Sequence, residues 1–144
     1  MWSIVSTANA CETGVAEIRG EWGSARFRVE VADSEDERRR GLMFRERLPT
    51  QSGMLFLYER PGPASFWMKN TLIPLDIIFL GESGAVKFIH SNARPGSLAP
   101  ITGGDGILAV LEINGGMADQ LGLGIGSQLR HPKMPQSKAI WPCD

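Results

Sequence analysis

Residues Ser65 to Leu80 read SFWMKNTLIPLDIIFL, an apolar run broken by four polar side chains, Lys69, Asn70, Thr71 and Asp76. Proline lacks an amide donor and pushes the residue before it towards extended backbone. Lys69 to Pro74 therefore predicts a turn, with one strand entering over Ser65 to Met68 and another leaving over Leu75 to Leu80. Side chains alternate along a strand, which places Leu75, Ile77 and Phe79 on one face and Asp76, Ile78 and Leu80 on the other. Asp76 then sits in apolar company. Downstream, Gly81-Glu82-Ser83-Gly84 predicts a hairpin into Val86 to His90, so three strands are expected side by side.

Outward from this stretch the pattern stays strand-rich. Arg26-Phe27-Arg28-Val29-Glu30-Val31 alternates strictly, with Phe27, Val29 and Val31 inward, and Val15 to Gly20 precedes it as a hairpin partner. Ser34 and Glu37 form a capping box, acids fill the first turn, Arg38 to Arg40 fill the last, and Gly41 closes a short helix. Gly53 to Tyr58 has the composition of a strand buried on both faces, followed by a loop at Glu59 to Pro63. Ser91 to Gly106 reads as a loop of about sixteen residues, long enough to suggest function. Ile107 to Ile113 is a strand carrying Glu112. Asn114 is the expected cap of a helix over Gly115 to Leu121 that ends at Gly122, and Gln128 to His131 makes the last strand. The expected fold is α+β: a single compact domain whose curved or barrel-like, mostly antiparallel sheet carries two short helices. The chain divides into a lead over 1–14, this domain over 15–132 and an irregular tail over 133–144.

The 144 residues are 42% hydrophobic and 22% charged, with a formal net charge of −1, an ordinary balance for one globular domain. No basic run suits nucleic acid, and no apolar run suits a transmembrane segment. The two cysteines, Cys11 and Cys143, lie near opposite ends. Because chain termini are often close in space, a disulfide between them is the expectation, with two free thiols as the alternative. Ala8-Asn9-Ala10 fits a small-x-small export cleavage pattern, although ten residues are short for a full signal. Cys11 directly after it would also suit a lipid anchor, which would exclude the disulfide. Together these features point to an exported, periplasmic chain.

Each candidate site has a plainer structural reading beside it. Asp76 and Glu112, acids on apolar strands, suit a general acid/base pair if burial separates their pKa values; the plain reading is that each meets a buried cation or loop amides. Trp67, Lys69, Asn70 and Thr71 offer a ring, an ammonium, an amide and a hydroxyl beside Asp76, a platform for a polar or sugar-like ligand. The same residues also suit a self-bonded turn. Met43, Met54 and Met68, with His90 or His131, would be needed for Cu(I), but methionines on strands are better read as core filler. No GxSxG, HExxH, CxxC, P-loop or EF-hand pattern is present. No cofactor or metal is expected.

Arg40-Gly41-Leu42-Met43-Phe44-Arg45, Gly53-Met54-Leu55-Phe56, Phe66-Trp67-Met68-Lys69-Asn70-Thr71 and Ile73-Pro74-Leu75-Asp76-Ile77 resemble the DUF192 family, also called UPF0127. Val110-Leu111-Glu112 with the glycine-bounded helix after it is similar to that family too. The resemblance spans roughly Arg26 to Arg130 and implies a compact, strand-rich α+β domain of a kind frequently exported in bacteria. It implies no particular activity. The leading functional expectation is an exported module binding a small polar molecule or a peptide segment through Trp67, Lys69, Asn70, Thr71 and Asp76. The alternatives are a cell-envelope hydrolase using Asp76 and Glu112, and a structural or accessory domain.

Overall fold

Ala16, Ile18, Phe27 and Val29 alternate with more exposed neighbours, and the segments carrying them pair as an antiparallel hairpin, β1 (Val15–Gly20) and β2 (Gly23–Ala32). The structure is a computed structural model that describes residues 11–143, so the Ala8-Asn9-Ala10 pattern lies outside the described residues. After β2, the Ser34 side chain accepts the Glu37 amide while the Glu37 side chain accepts the Ser34 amide, which starts α1 (Glu35–Arg40). All six residues of α1 are charged and none is buried, so no apolar stripe holds it down. Arg38 does that work, its Nη1 donating to the Leu57 carbonyl at 2.7 Å.

The chain continues through β3 (Ser52–Gly62), β4 (Ser65–Phe66), β5 (Leu75–Gly81), β6 (Val86–Ala93), β7 (Ile101–Thr102), β8 (Ile107–Asn114), α2 (Met117–Leu121) and β9 (Gln128–Arg130). Seven strands form one sheet in the order β6-β5-β8-β3-β2-β1-β9. Only the β2–β3 pair, linked through α1, is parallel. The sheet curls into a half-barrel until its edges meet. Ala85 bridges Gln128, and the Val86 and Leu129 amides donate to the Ser127 and Gly84 carbonyls at 2.8 Å. The expected α+β domain with two short helices is the observed one.

Local expectations are revised at several points: β3 runs to Gly62 through the expected loop at Glu59 to Pro63, and β6 and β7 take up parts of the expected loop at Ser91 to Gly106. The strand at Ser65 lasts two residues and pairs with β7 in a separate ribbon, so β5 lies between β6 and β8 instead. Backbone bonding explains the change, since the Met68 amide donates to the Ser97 carbonyl and the Gly96 amide to the Met68 and Thr71 carbonyls. These groups are satisfied by a loop and have no need of a strand. Asn114 also does not cap α2. Its side chain donates to the Leu48 and Pro49 carbonyls, and the α2 amides are met by Asp76.

Two apolar layers result. The inner one, inside the curl, draws Ile18, Phe27, Leu55, Ile78, Leu111 and Leu129 from across the sheet, with Ala118 of α2. The outer one packs Met54, Phe56, Ile77, Phe79 and Val110 beneath Leu42, Met68 and Ile101 from the covering turns and ribbon. The tail belongs to the packed body: Met134 joins the inner layer, and the Trp141 ring meets the guanidinium groups of both Arg19 and Arg130, at 4.3 and 4.4 Å. His131 is fully buried, with Nε2 2.7 Å from the Thr13 carbonyl and Nδ1 accepting the Lys133 amide. Burial holds its pKa below the ordinary range, so this neutral ring ties the lead to the tail.

Cys11 and Cys143 are joined in a disulfide, with Cα atoms 5.6 Å apart across 132 positions of sequence. Closing so long a loop removes mainly unfolded-state entropy. Cys11→Ser, Cys143→Ser and reduced wild type should each lose about 2–4 kcal/mol in urea unfolding, and the three should agree closely. Undiminished stability in the serine variants would show that the bridge adds nothing.

Candidate functional site

Register decides where the two strand acids go. Asp76 of β5 stands opposite Ile113 of β8, and Ile77 stands opposite Glu112. Paired residues share a face and consecutive ones do not, so Asp76 and Glu112 lie on opposite sides of the sheet. They cannot flank one substrate bond.

Asp76 is completely buried and fully occupied. Its Oδ1 accepts the amides of Asn92 at 2.9 Å and Gly116 at 3.0 Å, and its Oδ2 accepts the Ala118 amide at 2.8 Å. One carboxyl therefore anchors the end of β6 and the first turn of α2, which lacks a side-chain cap of its own.

Glu112 is the reverse case. It is 4% exposed and flanked across the sheet by Met54 and Ile77, and among the described residues its carboxyl has no hydrogen-bond partner. Desolvation pushes its pKa up to about 8, so it holds its proton at neutral pH. The carboxyl faces a cavity of about 320 Å³ between α1, the turn after it, β3 and β4. Phe56 and Tyr58 of β3 line this cavity with Phe66, Trp67 and Thr71, and the α1 arginines form its basic side. Tyr58 is raised by burial, opposed by the Arg38 guanidinium 5.0 Å over its ring, and raised further by Glu112, so it feels both charged groups.

Two turns in unusual backbone adjoin the cavity, next in sequence to Met43 and Thr71, which line it. Phe44, with φ 67°, is 61% exposed, and its amide donates to the carbonyl of Asn70, whose φ is 55°. A bulky residue in the left-handed region costs on the order of 1–3 kcal/mol and persists only where surroundings enforce it. Trp67 beside this clasp is 46% exposed, with Lys69 Nζ 5.1 Å from its ring.

Of the residues singled out in the sequence, Met43, Trp67, Thr71 and Glu112 line the cavity; Lys69 and Asn70 are exposed beside it, and Asp76 lies behind the sheet. Thr71 is buried and its hydroxyl donates to the Lys69 carbonyl. Met54 and Met68 pack in the outer layer, on the other side of the sheet from Met134 and its neighbours. Sequence reasoning missed Arg38 and Tyr58. The available signal for Tyr58 was its alternation with Met54 and Phe56; Arg38 was hidden by a capping pattern that accounts for its charge locally.

Fold and site together define a small half-barrel α+β domain with a cavity against the outer face of its sheet. The chain belongs to the DUF192 family, described as "Uncharacterized ACR", whose pattern matches residues 15–131. It is similar to a protein of unknown function from Novosphingobium aromaticivorans DSM 12444, with 44% identity and a TM-score of 0.79 over 80% of this chain and 82% of that one. It is also similar to a proposed transcription regulator from Sinorhizobium meliloti 1021, with 34% identity and a TM-score of 0.79 over 83% and 94% of the two chains. No curated protein matches the chain.

Two substitutions separate the acids. Asp76→Asn puts an amide NH2 where an oxygen accepts, so at least one buried amide loses its partner, and urea unfolding should show a loss of about 2 kcal/mol or more. For Glu112, the folded chain keeps the proton until about pH 8 while the unfolded chain releases it near 4.5. Its contribution to stability is therefore full below pH 4.5, falls by about 1.4 kcal/mol per pH unit through the window, and is lost above pH 8. Glu112→Gln removes that slope, and wild type should lose on the order of 4 kcal/mol relative to the variant between about pH 5 and 8. Parallel stability curves would mean that Glu112 is not desolvated.

Proposed function

We propose that the chain is an exported, periplasmic binding module whose cavity above Glu112 takes a small polar molecule or the end of a peptide. The observation that carries this reading is Glu112 itself, an acid on a buried strand that lines the cavity and is bonded to no other side chain or backbone group among the described residues, so that its carboxyl oxygens open onto the cavity. An acid left this way lowers stability unless something outside the chain uses it, and perturbed acids of this kind concentrate at functional sites. The cavity volume suits a small ligand, and its lining combines aromatic rings with a few polar groups.

Export is supported by the Cys11–Cys143 bridge, since such bonds persist in oxidising compartments. The regulator description of the Sinorhizobium structure would call for a surface that neutralises phosphates, whereas this chain carries 15 basic and 16 acidic residues. A small-molecule site accounts for the structure better.

Melting temperatures should be measured against a panel of neutral sugars, amino acids, small carboxylates and small amines. They should be compared with Ser65→Trp, which plugs the cavity from an exposed position on β4. A compound at 100 times its Kd should stabilise wild type by about 2.7 kcal/mol and leave the plugged variant unmoved. Silence across the panel, or equal shifts in both proteins, would overturn the reading.

A further inference from the structure

Charge inside the cavity is divided. The floor is one buried acid, while Arg38, Arg39 and Arg40 in the last turn of α1 line the side together with Glu35 from its first turn. Arg39 is engaged, with Asp36 at 2.9 Å and Glu35 at 3.2 Å. Arg38 gives one N–H to the Leu57 carbonyl and lies 3.6 Å from Glu59, a residue far more exposed than itself. A guanidinium has five N–H donors, so most of the donors of Arg38 are left over. Arg40 makes no ion pair among the described residues.

Such a cavity discriminates by sign. The one other carboxylate on the lining, Glu35, is engaged by Arg39, so a cation entering would meet the charge of Arg38 and Arg40, whereas an anion gains from both. The floor favours the same choice. A protonated carboxyl donates a hydrogen bond, and an O–H donor facing an anionic oxygen forms the short, charge-assisted kind. The body of a ligand placed this way would lie along Phe66 and Trp67, rings with apolar faces at the mouth.

We propose that the cavity is a site for small organic carboxylates with a flat apolar body, the carboxylate lying between the Arg38 and Arg40 guanidinium groups and the Glu112 O–H. This rests on the reading of the cavity as a small-molecule site and adds the class of molecule. Affinity then requires Glu112 to carry its proton. The ligand binds to the acid form and is released as that proton leaves.

Benzoate, benzamide and benzylamine share a ring and differ in charge, so they serve as probes for calorimetric titration at pH 6 and pH 9. Benzoate should bind the wild-type chain at pH 6 and bind about tenfold more weakly at pH 9, as expected for a required proton with a pKa of about 8. Benzamide should bind more weakly than benzoate at pH 6, and benzylamine should not bind. Glu112→Gln, which can still donate, should keep benzoate affinity within about twofold at both pH values. Arg40→Ala, at an exposed position, should weaken benzoate by about tenfold at both.

Preference for benzylamine, or benzoate affinity that rises with pH, would overturn the carboxylate assignment and leave the small-molecule reading standing. An unchanged pH slope in Glu112→Gln would remove Glu112 from the site. If none of the three probes binds while another compound gives a shift that Ser65→Trp abolishes, this inference alone fails. If nothing gives such a shift, both fail.

Discussion

A pleated strand sends consecutive side chains to opposite faces, and along the β5–β8 pair that constraint sorts the whole molecule. Leu75, Ile77 and Phe79 join the outer layer while Ile78 and Leu80 join the inner one, and on β8 Val110 parts from Leu111 in the same way. The acids follow their neighbours. With Ile77 opposite Glu112, Asp76 must go inward and Glu112 outward, and no side-chain rotation can reunite them. A sheet buried on both faces thereby holds two acids in unrelated surroundings.

What lies inward is bonded. Backbone amides from β6, from the turn before α2 and from α2 itself converge on Asp76, so one carboxyl joins three segments around the inner core. Hydrogen bonds to a carboxyl are stronger than those between neutral groups, which suits a short helix with no cap residue of its own. The lead and tail are tied in by other means: the ring of His131, the contact of Trp141 with two arginines, and the terminal disulfide. Together these ties make the irregular ends part of the packed body.

The outer face is covered unevenly. Leu42, Met68 and the β4–β7 ribbon press on it, but α1 buries no side chain and is tied to the sheet through the reach of Arg38. The gap left beneath a charged helix is the cavity, and Glu112 is the buried acid at its floor. The strained turns at Phe44 and Asn70, joined by one backbone bond, adjoin its lining residues Met43 and Thr71. A desolvated acid and strained backbone are both costly features that packing alone would not select, and here they occur close together in the fold.

Sequence alone determined whatever depends on near neighbours. Alternation placed Phe27 and Val29 inward, the Ser34–Glu37 box marked α1, glycines marked the β5–β6 turn, and the polar break at Lys69 to Thr71 drew attention to a region where Trp67 and Thr71 do line the cavity. Tertiary structure decided what depends on distant partners. Asp76 and Glu112 look alike in sequence, each an acid in an apolar strand. The amides that claim Asp76 lie 16, 40 and 42 positions away, and nothing in the local pattern says that they arrive there and that none arrives at Glu112. The short ribbon at β4 and the reach of Arg38 to β3 were hidden for the same reason. Local periodicity reports which face a side chain takes, but only the assembled sheet reports what that face meets.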